Sequence, residues 1–147
     1  MRERNCMNRR TARENAFYAA FSASFSGGDI AQIIAQSRET GDHEVDAFGE
    51  KMVCAYFDHA AQIDGEIRAH LRNWTMERLP RVSLTAMRLA VSEMLYMPES
   101  PASVVINEAV ELVKRFGGEE DYQFVNGVLG AIAREKKLDT QPQQETV

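Results

Sequence analysis

The chain has 147 residues, 44% of them hydrophobic and 27% charged, the size and composition of one globular domain able to bury a core. Its 22 acidic and 17 basic residues leave a formal charge of -5, so the body is not a general polyanion binder and any nucleic-acid site has to be local. Four prolines and nine glycines exclude low complexity, no apolar run approaches a membrane span, and Cys6 and Cys54 lack CxxC or metal-ligand spacing and read as reduced thiols in a cytoplasmic setting.

The first segment, MRERNCMNRRTAR, sets Arg2, Arg4, Arg9, Arg10 and Arg13 against Glu3 alone. Residues 1–8 are expected to be a flexible basic arm. Arg9 and Arg13 then fall on one helix face, and Arg10, Glu14 and Tyr18 on the neighbouring one. Ala16, Phe17, Ala20, Phe21 and Ser24 form the apolar side of a helix that should reach about Phe25. Three readings of this segment stay open: an RNA-binding arm, a solvated basic helix end, and the opening of a signal peptide, whose layout AFYAAFSASF imitates with a short, Ser-rich apolar run.

Ser26, Gly27 and Gly28 make a turn, Asp29 can cap a helix through Ile30, Ile33, Ile34 and Ser37, and Thr40–Asp42 breaks it. Val45, Phe48, Met52, Val53, Tyr56, Phe57 and Ala60 give the next helix a core stripe. His43 and His59 stand apart from other ligand types, so no metal is expected. Asp64 reads as a cap before Gly65 and Glu66. Ser83 reads as the cap of a helix nearly encircled by Leu84, Met87, Ala90, Val91, Met94 and Leu95, a pattern that belongs at the centre of a bundle. Arg88 and Glu93 on it should be partly buried in a structural network.

Ser100 and Pro101 then open a helix with Ala102, Val105, Ile106, Ala109, Leu112, Val113 and Phe116 on one face and Asn107, Glu111 and Arg115 on the other. Gly117 is expected to end it in a left-handed turn, with Glu119, Glu120 and Asp121 starting a last helix that buries Tyr122, Val125, Val128, Leu129, Ile132 and Ala133. Gly127, with Gly130 and Ala131, should leave a narrow side where another backbone comes close. Residues 138–147 lose periodicity and read as a disordered tail. The pattern predicts an all-α fold, one domain over residues 1–137: a compact bundle of about seven helices in two packed sub-bundles, with the Ser83 helix at their junction. P-loop, dinucleotide, GxSxG and HExxH motifs are all missing from the sequence, which points to a binding protein and not an enzyme, with no cofactor.

VVINEAVELVKRFG followed by FVNGVL closely resembles the signature of the NusB family of bacterial transcription antitermination factors. The resemblance extends over IDGEIRAHLRNWTMERLPRVSLTAMRLAVSEML, through residues such as Asp64, Trp74, Arg88 and Glu93, and over Ala12, Arg13, Ala16, Ala20 and Phe21 of the first helix. It implies regulation of ribosomal RNA transcription through RNA binding: with a small-subunit ribosomal protein that doubles as NusE, members recognise the single-stranded boxA element of nascent ribosomal RNA in the transcription elongation complex. By position it assigns RNA contacts to Arg9, Arg10, Arg13 and Phe21 and to a second patch, Gln123, Phe124 and Asn126. Phe21 departs from the family's usual Tyr and loses a hydroxyl, and Gln123 stands where the family often carries a basic residue. Phe124 has a competing reading beside base stacking, since Val128 lies one turn on and core burial would explain it. Two other readings remain: the related RNA-binding domain at the N-terminus of a ribosomal RNA cytosine methyltransferase, which needs a catalytic domain beyond Val147, and a self-associating structural protein, a homodimer that hides the RNA site.

Overall fold

The computed structural model describes residues 7–118 and 120–138. The expected arm, apart from Met7 and Asn8, lies outside the described residues, as do Cys6, Glu119 and the expected tail beyond Leu138. The described residues form seven α-helices, one 3-10 turn and no strand, and divide into two compact units that meet in sequence at Cys54 and Ala55.

The first unit holds α1 (Arg9–Ser26), α2 (Ile30–Thr40) and the beginning of α3 (Ala47–Asp58). Asn8 caps α1, its side chain accepting from the Thr11 N–H at 2.8 Å, and Gly27 closes it with a left-handed φ of 64°. Asp29 caps α2 by accepting from the Ala31 N–H at 3.0 Å, as expected, and Gly41 ends it at φ 79°. Ala19, Ile34 and Val45 form a core, with Ile30 and Ile33 against it. Val45 lies before α3 and not in it, held by its N–H to Ser37 Oγ at 3.1 Å and by its carbonyl, which accepts from Arg38 Nε at 2.9 Å. Gly49 is buried where a Cβ would stand 3.4 Å from the Ala12 carbonyl oxygen, so α3 approaches the α1 backbone closely.

The second unit comprises the end of α3, α4 (Ala60–Ala69), the 3-10 turn Met76–Arg78, α5 (Arg81–Tyr96), α6 (Ala102–Phe116) and α7 (Asp121–Glu135). The stripe expected to run from Val45 through Ala60 is interrupted at His59, and Phe57 is exposed. Consequently Asp64 lies inside α4 instead of capping it; its carboxylate receives Arg88 through Nε at 2.9 Å and Nη2 at 3.1 Å, and the Tyr56 hydroxyl at 3.2 Å. That is the network expected around Arg88, and Glu93 is buried as well.

α5 packs against α4, α6 and α7 and buries Met87, Leu89, Ala90, Val91 and Met94 together with the polar Thr85 and Ser92. It begins three residues earlier than a cap at Ser83 implied, with Pro80 in the capping position. Ser83 is therefore an interior residue, its Oγ buried without a hydrogen-bond partner among the described residues. Ser100 does not cap α6: Pro101 occupies the capping position, and the Ser100 N–H donates to the Met97 carbonyl at 3.0 Å. Gly117 is extended, not left-handed, at φ -108°; a side chain is excluded there because a Cβ would lie 2.9 Å from the Val113 carbonyl oxygen. Gly127 faces open space, with nothing within 4 Å of a Cβ, so the expected close backbone is not there. Val125, Val128, Leu129, Ile132 and Ala133 are buried as predicted, while Tyr122 is only half-buried.

Candidate nucleic-acid interface

In the first unit, Arg9 and Arg10 are exposed at the start of α1, whereas Arg13 retains only 9% exposure. The Arg9 guanidinium lies 4.0 Å from the centroid of the Phe48 ring and that of Arg13 lies 5.4 Å from it. One aromatic ring on α3 thus meets two cations from the start of α1. Phe21 is not beside them; twelve residues along the helix put it about 18 Å away. It stacks on Phe17 (5.4 Å, 18°) and meets Phe25 edge-on (4.9 Å, 86°), one rung of an i, i+4 aromatic ladder.

The second unit presents the other patch. Helix α7 brings up Gln123 and Asn126, both exposed, and Phe124, half-buried. Phe124 meets Trp74 edge to face, with centroids 6.2 Å apart at 61°, and Trp74 is 50% exposed. The chain turns before Trp74 through Asn73 at φ 66°, a left-handed conformation that asparagine tolerates, and the indole projects from the loop after α4. Arg72, Arg134, His70 and Gln123 line a cleft of about 370 Å³ together with this pair. An exposed aromatic pair in a cleft that also holds two guanidinium groups can stack a planar base near cations that suit phosphate.

A second cleft of about 650 Å³ lies between α6 and α7 and shares Gln123, Gly127 and Arg134 with the first. Tyr122, on its wall, lies 4.7 Å beneath the Lys114 ammonium.

The end of α7 is tied to α4 by two side-chain contacts. Only the second is an ion pair of fixed charge: His70 Nε2 lies 2.8 Å from Glu135 Oε1, and Lys136 Nζ meets Glu66 Oε2 at 2.7 Å. The hydrogen bond and charge of Glu66 raise the Lys136 ammonium above its ordinary pKa. Glu66, His70 and Glu135 converge, but the ammonium already occupies Glu66, and the group is a clamp between helix ends.

Three residues of the aromatic cleft escape sequence reasoning about sites: Trp74, Arg72 and Arg134. Trp74 carried a usable signal, since a large aromatic in a short loop off every apolar stripe has no core to enter. Arg134 carried none.

The NusB family model matches residues 10–134. The transcription antitermination protein NusB of Bacillus velezensis is 44% identical over 126 residues, covering 86% of this chain and 95% of its own length. Among solved structures, T. maritima NusB superposes with a TM-score of 0.78 at 30% identity, covering 96% of this chain and 99% of that one. A crystal structure of antitermination factors NusB and NusE in complex with dsRNA superposes at 0.77, also at 30% identity, covering 86% of this chain and 96% of that one. Fold, length and sequence agree along nearly the whole chain, and it belongs to the NusB family of transcription antitermination factors, binding proteins and not enzymes.

Proposed function

We propose that this chain is a cytoplasmic antitermination factor that binds a boxA-like single strand of nascent ribosomal RNA together with a NusE-type ribosomal protein, within the transcription elongation complex. The observation that carries the reading is the Trp74–Phe124 shelf in a cleft also lined by Arg72 and Arg134, on a fold that a NusB–NusE–RNA complex shares. An edge-to-face pair leaves Phe124 only half-buried, which favours base stacking over a purely core role. Arg9 and Arg10 supply the phosphate contacts of the first unit, and Arg13, being buried, chiefly holds Phe48 and the helix start in place. Gln123, Asn126 and Phe21 complete the assigned surface.

The RNA in the solved complex is double-stranded, so the test separates strand states. Fluorescence titration of the full chain uses a boxA-like single strand, a scrambled single strand and a duplex, each with and without the NusE-type protein. The single boxA-like strand is expected to bind tightest and to gain affinity from the partner. Equal affinity for all three RNAs with the partner present would overturn the reading.

A further inference from the structure

The larger cleft of the second unit has a wall chemistry of its own. Its volume, about 650 Å³, falls within the roughly 300–1,000 Å³ of small-ligand sites. Three carboxamides line it, Asn107 from α6 and Gln123 and Asn126 from α7, with Arg134 and no carboxylate among the lining residues. A carboxamide offers a donor and an acceptor side by side, matching the edge of a nucleobase. Asn107 and Asn126 are exposed, and neither side chain hydrogen-bonds another described residue. Asparagine is also a mediocre helix former, so helix stability does not explain either position.

The cleft continues into the aromatic one. Gln123, Gly127 and Arg134 line both, and at Gly127 nothing stands within 4 Å of a Cβ. A low saddle in α7 therefore joins the stacking shelf to the carboxamide wall. Arg134 Nη1 would be 3.4 Å from a Cβ on Gly130, so the guanidinium lies along the same track.

We infer that the α6–α7 cleft is a base-reading subsite: the unpaired nucleotide next to the one stacked on Phe124 crosses Gly127 and lays its base edge against Asn107 and Asn126, with its phosphate toward Arg134. The inference rests on the RNA-binding reading and extends it from stacking, which tolerates any base, to sequence choice. Asn107 is the residue that decides it, being exposed and outside the surface assigned by family position.

The test titrates the full chain, Asn107→Ala and Asn107→Asp with single-stranded RNAs of equal length that differ at one base, at several salt concentrations. Circular dichroism and thermal melting establish that both variants fold. The wild type is expected to discriminate among the RNAs. Asn107→Ala should reduce that discrimination roughly three- to tenfold, about one hydrogen bond's worth, at an unchanged salt slope. Asn107→Asp keeps the shape but loses the amide donor, and should change which base is preferred. Undiminished discrimination in both RNA-binding variants would overturn the subsite and leave the function intact. So would a loss confined to binding of the NusE-type protein, which would make the cleft a protein contact. A wild type that binds none of the RNAs overturns the functional reading, and the subsite with it.

Discussion

Tyr56 places its hydroxyl 3.2 Å from both carboxylate oxygens of Asp64, beside Arg88. Burial, and secondarily the Asp64 charge and hydrogen bond, push the phenol up from 10.0 to about 12, although Arg88 pulls the other way. The folded state thus favours the neutral phenol. Its stabilising contribution is complete below the unfolded pKa near 10 and is lost as pH rises through about 12. An alkaline absorbance titration should show a late phenol step near pH 12, and Tyr56→Phe should remove that step. A variant that keeps the late step would assign it elsewhere. Phe124 and Trp74 act at the same scale on RNA. Phe124→Ala should weaken single-strand binding by about 1–3 kcal/mol, the worth of one stacked base. The same titration on Trp74→Ala asks whether the two rings act as one shelf; a loss at neither ring would remove stacking from the mechanism.

Two glycines in the α6–α7 hairpin behave oppositely, because space and not identity decides the cost. At Gly117 a Cβ would press within 2.9 Å of the Val113 carbonyl oxygen and 3.2 Å of Val113 Cγ1. Gly117→Ala should accordingly destabilise by roughly 1–3 kcal/mol through overpacking. At Gly127 the space is open, so Gly127→Ala should gain helix propensity, about 1 kcal/mol, and melt higher. Thermal or denaturant melts of both variants check the pair. A lower melting temperature for Gly127→Ala would mean that α7 packs against something at that face. The open glycine lines both clefts of the second unit, at a cost in helix stability.

The whole molecule carries a charge of -5, which opposes RNA everywhere except at local basic groups. Arg9 and Arg10 are the exposed pair at the start of α1. Arg9→Glu with Arg10→Glu should reduce the slope of log affinity against log salt by roughly 1.4, about 0.7 for each lost phosphate contact on a single strand. Arg13 is left intact because reversing a buried residue would confound binding with folding. An unchanged slope would take the start of α1 out of the interface. The same acidity suits a basic ribosomal partner by charge complementarity. By linkage, RNA should tighten the protein pair by the factor it gains itself, typically about 5–150-fold, and calorimetric titration of RNA into the free chain and into the pair measures it. Equal affinities at matched salt would leave a stand-alone RNA binder.

What the sequence determined by itself was the local part of this protein. Apolar residues at 3.6-residue spacing fixed the helix faces, and Asp29 and Gly41 fixed the ends of α2, since each depends on neighbours within one turn. The family motif supplied the class, and with it the two surfaces to inspect. Tertiary structure decided whatever depends on distant neighbours. Asp64 looked like a cap and became the acceptor of Arg88, 24 residues away. Gly117 looked like a left-handed turn and proved to be a steric requirement at an extended φ. Gly127 looked like a packing face and proved to be a gap. Trp74 meets Phe124 only because folding sets its loop beside α7, and Asn107 lines a cleft only because α6 packs on α7; a shelf or a cleft is made by chain segments that no local pattern relates.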